Sequence, residues 1–212
     1  MKVGIIGSGI VGQVLAVAFK NEGYEVTVGT RNTSKPELAN FKKENPSISI
    51  GNFQDAAKFG DLLVLATSGS GAVDAVKLAG HENFRDKVVI DTTNPIGPGR
   101  PENGVLKFFT NAETSLMEIV QNLIPEARFV KAFNSVGNTL MYKPRLTGGK
   151  PTMFICGNDD DAKNTVTDIL IRFGWEIEDM GKATAARAIE PLCILWCIQA
   201  SSAINGTMLS SY

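Results

Sequence analysis

The chain has 212 residues, of which 43% are apolar, 8% aromatic and 20% charged, with a formal net charge of −1. That size and apolar content give a sizeable core and exclude intrinsic disorder. The near-neutral charge excludes bulk attraction to nucleic acid or to an anionic membrane surface.

Strand and helix signals alternate along the whole chain. Lys2–Ile6 is a short apolar run ending in glycine, as expected of a parallel strand covered on both faces. Helical spacing follows over Ile10–Asn21, and Gly23 suits its end. Strands are predicted at Glu25–Gly29, Ile48–Ile50, Leu62–Thr67, Lys87–Asp91, Arg128–Phe133, Thr152–Cys156 and Glu176–Asp179. Helices are predicted at Ser34–Glu44, Phe53–Phe59, Ala72–Leu78, Thr114–Ile124 and Asp159–Phe173. A last helix over Ala183–Ser202 is expected to bend or start at Pro191. The alternation predicts an α/β, Rossmann-type doubly wound fold with a mainly parallel sheet. Residues 1–212 are expected to form one domain, with 183–212 as a carboxyl-terminal helix and tail. Two long loops, 94–111 and 137–151, are expected to be functional.

Gly7-Ser8-Gly9-Ile10-Val11-Gly12 fits G-x-G-x-x-G, with a strand before it, a helix after it and a second strand beyond. Gly7 permits the tight turn, Gly9 lets a pyrophosphate approach the backbone, and Gly12 lets helix and strand pack closely. The second strand ends in Thr30-Arg31-Asn32-Thr33-Ser34-Lys35, without the carboxylate that would bond a ribose 2′-hydroxyl. Thr30, Arg31, Ser34 and Lys35 offer cations and hydroxyls suited to a 2′-phosphate, which predicts NADP(H) over NAD(H). Three later strand ends are polar, Leu65-Ala66-Thr67-Ser68-Gly69-Ser70, Asp91-Thr92-Thr93-Asn94-Pro95 and Lys131-Ala132-Phe133-Asn134-Ser135. In an open α/β sheet they would border the ligand crevice.

Other chemistry is sparse. The single histidine, His81, falls between a helix and a strand, at the expected wrong end of the sheet. Lys131 is the best alternative proton donor, and Lys182 and Arg187 are candidates to meet an anionic substrate. Asp159-Asp160-Asp161 reads as a helix cap and first turn rather than a metal site. Cys156, Cys193 and Cys197 read as buried thiols, and Trp175 and Trp196 as core. No charged leader with an apolar stretch precedes the first strand, and the apolar run 191–200 is shorter than the about 20 residues of a membrane span. The expectation is a cytoplasmic protein with no membrane partner. The last helix is apolar on nearly all sides, which predicts burial against a second copy in a homodimer.

Five segments occur in an order that carries a resemblance: Val28-Gly29-Thr30-Arg31, Thr93-Asn94-Pro95, Val130-Lys131-Ala132-Phe133-Asn134, Cys156-Gly157-Asn158-Asp159-Asp160 and Ala186-Arg187-Ala188-Ile189-Glu190-Pro191-Leu192. Together they resemble the NADPH-dependent reductases of coenzyme F420, a 5-deazaflavin, over essentially the whole chain. The same core is similar to the oxidoreductase domains of six-transmembrane metalloreductases. The resemblance implies hydride transfer between NADP(H) and a planar redox carrier, F420 or a flavin. It implies Thr30, Arg31, Ser34 and Lys35 at the 2′-phosphate, and Thr67, Ser68, Asn94 and Ala132 beside the nicotinamide. This chain has Asn134 where the deazaflavin reductases commonly have histidine, which leaves Lys131 and Asn134 as the candidate catalytic residues. Two other readings stay open: reduction of a small carbonyl or imine compound with Lys131 as donor, and a non-catalytic NADP(H) redox sensor.

Overall fold

The computed structural model describes residues 1–203, and the expected tail at 204–212 lies outside the described residues. The elements run β1 (Lys2–Ile6), α1 (Ile10–Asn21), β2 (Glu25–Thr30), α2 (Pro36–Glu44), β3 (Ser49–Asn52), α3 (Phe53–Phe59), β4 (Leu62–Leu65), α4 (Gly69–Ala79), β5 (Val88–Asp91), α5 (Leu116–Leu123), β6 (Arg128–Lys131), β7 (Thr152–Gly157), α6 (Asp160–Arg172), β8 (Glu176–Asp179), α7 (Ala186–Ile189) and α8 (Leu192–Ala203). Among the described residues, eight strands form a sheet in the order β3-β2-β1-β4-β5-β6-β7-β8. The first six are mutually parallel, β7 runs antiparallel to β6, and β8 is parallel to β7.

The period of two along each strand sorts side chains between two apolar layers. Val3 and Ile5 of β1, with Leu62 and Val64 of β4, face Leu15 and Phe19 of α1 and Val166 and Ile169 of α6. Ile6, Leu63 and Leu65 face the other way, toward Ala56 of α3, Ala72 and Val76 of α4 and Met117 of α5. Strands covered on both sides read as continuous apolar runs, which is why β4 is Leu-Leu-Val-Leu. The crossing from β1 to β2 on one side and from β1 to β4 on the other makes a switch point, where such sheets open a crevice.

Several predicted boundaries shift for local reasons. The strand expected to reach Phe133 stops at Lys131, because Phe133 turns into the left-handed region at φ 64° and leaves the ladder. The helix expected from Ser34 starts at Pro36, whose fixed φ and missing N–H suit a first helical turn. The last helix is divided into a 3₁₀ turn at Ala183–Ala185, α7 and α8, with the break at Glu190-Pro191. Both long loops fold back on the crevice. The first carries the backbone bridge Ile96–Phe108, and its Leu106 packs with Cys193 and Cys197 of α8.

Candidate functional site

The turn after β1 is fixed by backbone crowding. Gly7 has φ 134°, and a Cβ there would lie 2.2 Å from the Ala66 carbonyl oxygen. A Cβ on Gly12 would lie 2.1 Å from the Gly7 oxygen, so α1 presses on the turn. Gly9 differs: a Cβ there meets nothing within 4 Å, and the backbone faces open space.

From α1 to α6 the helix amino termini are of three kinds, and α2 has no side-chain cap but carries Glu37 in its first turn. Those of α3, α5 and α6 are capped by the side chains of Asn52, Ser115 and Asp159. Those of α1 and α4 have neither a side-chain cap nor an acidic residue in the first turn. Both begin at residues that line one cavity. Free amides and the positive dipole end make such termini anion sites.

That cavity, of about 640 Å³, opens at the carboxyl ends of the parallel strands. Its size lies within the roughly 300–1,000 Å³ usual for small-molecule sites. Gly9, Ile10 and Val11 line it, with Thr67, Ser68, Asn94 and Asn134 from the sequence-predicted set. Ile96, Pro98, Val136, Met141 and Trp196 also line it and were not singled out as site residues from the sequence. Trp196 therefore borders the cavity rather than the core, while Trp175 is buried and donates to the Met141 carbonyl. Asn94 Nδ2 donates to the Asn134 backbone oxygen, and Asn134 Nδ2 donates to the Ile189 oxygen at 2.9 Å. Asn134 Oδ1 and Thr67 Oγ1 are buried without a hydrogen-bond partner among the described residues. Buried polar atoms are nearly always paired, so these two point to a ligand or water. Phe133, strained and buried, also lines the cavity.

At the end of β2, Ser8 Oγ donates to Thr30 Oγ1 at 2.9 Å and ties this strand to the glycine turn. Asn32 Oδ1 accepts from the Ser34 amide and shapes an exposed turn. The Arg31 guanidinium lies over the first turn of α4, where a Cβ on Gly71 would be 2.7 Å from its terminal nitrogen. Arg31 and Lys35 side chains have no hydrogen bond or ion pair among the described residues. Arg31 thus stands as an unpaired cation beside the uncapped terminus of α4, while Lys35 precedes α2.

Lys131 corrects an expectation. It is fully buried, and its Nζ lies 2.7 Å from Asp91 Oδ2, 2.9 Å from Glu190 Oε1 and 2.8 Å from the Thr93 carbonyl oxygen. Its three donor sites are saturated beneath the cavity floor. Burial pulls its ammonium down, but the two carboxylates outweigh that and hold it above its ordinary value. A lysine so placed has no proton to offer a substrate in the cavity. Glu190 also accepts from the Leu116 and Met117 amides and so holds the start of α5. Asp91 was read from the sequence only as part of a polar strand end, and the pairing of Asp91 and Glu190 with Lys131 was missed. The available signal was a carboxylate closing the apolar strand β5 and another just before the apolar helix α8. Ala132, expected beside the nicotinamide, is buried and does not line the cavity.

The remaining candidates lie elsewhere. Lys182 bonds the Asn158 oxygen and pairs with Asp160, and Arg187 pairs with Glu118. His81 is in a 3₁₀ turn before β5, at the opposite end of the sheet. Asp159 caps α6 by accepting from the Ala162 amide. The Cys156 thiol is buried and pushed up to about 12. Glu118, held by Arg187 and by Ser115, is lowered to about 2. A depressed carboxyl adds stability above its unfolded pKa of about 4.3 and loses it as pH falls toward the folded value. Denaturation midpoints measured from pH 5 to 2 should therefore fall less steeply in Glu118→Gln than in the parent. Equal slopes would contradict the pairing.

Residues 2–95 match the family described as NADP oxidoreductase, coenzyme F420-dependent. A crystal structure from Arthrobacter sp. FB24, named for an F420-dependent NADP-reductase, superposes with a TM-score of 0.89 at 33% identity, covering 97% of this chain and 95% of that one. The F420-dependent NADP reductase of Methanocaldococcus jannaschii is 27% identical over 203 residues, 91% of this chain and 89% of that protein. Metalloreductase STEAP3 of Rattus norvegicus is 30% identical over 193 residues, which is 90% of this chain but 36% of that protein, so the chain spans about a third of its length. No helix of the described residues is long and apolar enough to cross a membrane. Fold, glycine turn and coverage agree: the chain belongs to the coenzyme F420-dependent NADP oxidoreductase family.

Proposed function

We propose that this protein transfers a hydride between NADP(H) and a planar redox ring of the deazaflavin or flavin type, acting as one cytoplasmic domain. The observation that carries the reading is the pair of uncapped helix termini, α1 and α4, that begin at one cavity, with the unpaired Arg31 over the first turn of α4. The amides of the glycine turn would take the pyrophosphate, with Gly9 giving the close approach and Gly7, Ser8, Ile10, Val11 and Gly12 shaping the turn. Arg31 and Lys35, with Thr30 and Ser34, would hold the 2′-phosphate. Thr67, Ser68 and Asn94 would border the ribose and nicotinamide, where the unpartnered Asn134 Oδ1 and Thr67 Oγ1 accept or donate to its polar group.

A bound dinucleotide supplies the hydride, and the chain's part is orientation and exclusion of water, which account for much of such a barrier. The sealing of Lys131 argues against the carbonyl or imine reading, which needs a donor at the substrate. Homodimerisation through α8, with Leu195 68% exposed, belongs to the same reading, and sedimentation or light scattering tests it.

Arg31→Ala should weaken NADPH binding by about 1.5–3 kcal/mol, the range for hydrogen bonds to charged groups, and leave NADH nearly unchanged. Direct titration by nicotinamide fluorescence checks this. Equal losses for the two nucleotides would remove the assignment of the 2′-phosphate to Arg31. NADPH binding without oxidation by F420, FMN, FAD or ferric chelates would turn the reading toward a sensor.

A further inference from the structure

Cys193 and Cys197 lie one turn apart on α8, and both line the cavity. Neither is in a disulfide. They pack with Leu106 of the loop 94–111, with Ile96, Phe108, Ile194 and Trp196 against them, so the surroundings of the two sulfurs are apolar. A hydrogen bond from the Cys193 thiol to the Cys197 sulfur brings the pair together. It pushes Cys193 far up and holds Cys197 below its ordinary value against the effect of burial.

Two sulfurs so placed have three chemistries open to them: a disulfide, a metal ion, or a single atom that bridges both. Residues four apart on a helix have Cβ atoms about 5–6 Å apart. A disulfide needs about 3.5–4.5 Å, so closing one would unwind this turn of α8. No third Cys, His or carboxylate joins the pair among the described residues, which leaves a tetrahedral zinc site incomplete. None of the described lining residues is Asp, Glu, Lys, Arg or His, and 191–212 contains no charged side chain. A charged complex would therefore lose its hydration here and gain no counter-charge. A neutral adduct bridged by one atom meets neither obstacle.

We propose that Cys193 and Cys197 form a dithiol site for a trivalent organoarsenical. In the step, two As–S bonds form, the bonds of arsenic to its oxygen break, and the two thiol hydrogens leave with that oxygen as water. Arsenic stays trivalent, no electrons are exchanged and the adduct carries no charge. The apolar neighbours of the pair suit the organic substituent. The site depends on α8 and the loop 94–111 alone and stands whichever nucleotide or acceptor the cavity takes.

The test incubates the full-length protein with phenylarsine oxide and reads the adduct by intact-mass spectrometry and peptide mapping. One phenylarsenic unit per chain should bind and map to Cys193 and Cys197 together. It should survive excess 2-mercaptoethanol and leave with 2,3-dimercaptopropanol, itself a dithiol. Cys193→Ala and Cys197→Ala should each lower the affinity at least about a hundredfold, the low end of the gain from linking two ligands. Either variant suffices if the other does not fold. Cys156→Ala should bind like the parent, because the Cys156 thiol lies 3.7 Å from Met117 Sδ and does not line the cavity. Diamide should close a 193–197 disulfide in urea but not in the folded protein. No adduct, an adduct kept equally by the single variants or mapped to Cys156, or a diamide-formed disulfide in the folded protein would overturn the proposal.

Discussion

Lys131→Met should cost the folded protein about 3–5 kcal/mol, the loss usual when one partner of a buried ion pair is removed. The substitution keeps most of the stem volume, so the cost is electrostatic rather than a cavity. Asp91 and Glu190 would be left facing one another in a site where Lys131 and Asp91 have no exposed side-chain surface. Two further bonds are at stake. The Thr93 oxygen would lose its donor, and Glu190, if it became protonated or moved, would release the Leu116 and Met117 amides. Urea denaturation at neutral pH measures the loss. Combining Lys131→Met with Asp91→Asn and Glu190→Gln should recover much of it, because neutral amides leave no unpaired charge. A single-variant loss under about 1 kcal/mol would place this cluster among surface-like pairs instead. The triad also joins three cavity walls: the strand end at Thr93-Asn94, the strand end at Asn134, and the entry to α8 at Glu190-Pro191. The destabilised variant should therefore bind dinucleotide less well even where it remains folded.

Gly7→Ala and Gly9→Ala should part company, although they are two residues apart in one motif. At Gly7 the backbone lies at φ 134°, and an added Cβ would sit 2.2 Å from a carbonyl oxygen of the neighbouring strand end. Strain and overpacking together should cost about 3 kcal/mol or more, and the β1–β4 junction would have to open. At Gly9, with φ −71° and ψ −179°, an alanine fits the backbone, and its Cβ meets nothing within 4 Å. Thermal midpoints should be unchanged for Gly9→Ala, while NADPH affinity falls because the methyl occupies the path of the pyrophosphate. Calorimetry with and without NADPH separates the two. Unchanged NADPH affinity in Gly9→Ala would show that the open face of this turn is not where phosphate approaches.

What the sequence determined by itself follows from periodicity and from local chemistry. Ile10–Asn21, Phe53–Phe59 and Glu176–Asp179 have the same bounds in sequence and structure, because their apolar spacing and flanking residues are complete within the segment. The glycine turn and the carboxylate-free end of β2 were legible for the same reason: each is a short-range pattern, and Gly12 is demanded by the Gly7 carbonyl five residues away, although the crowding of Gly7 by Ala66 is a tertiary contact. The tertiary structure decided what depends on distant partners. A lysine at a strand end looks the same in sequence whether it meets solvent or two carboxylates, and only the packing of β5, β6 and the α7–α8 junction brings Asp91 and Glu190 to Lys131. The reversal of β7 is likewise invisible locally, since its apolar alternation serves either direction. Trp196 was read as core because an apolar helix gives no indication of which side meets a cavity; the loop 94–111 and Gly137 set that side.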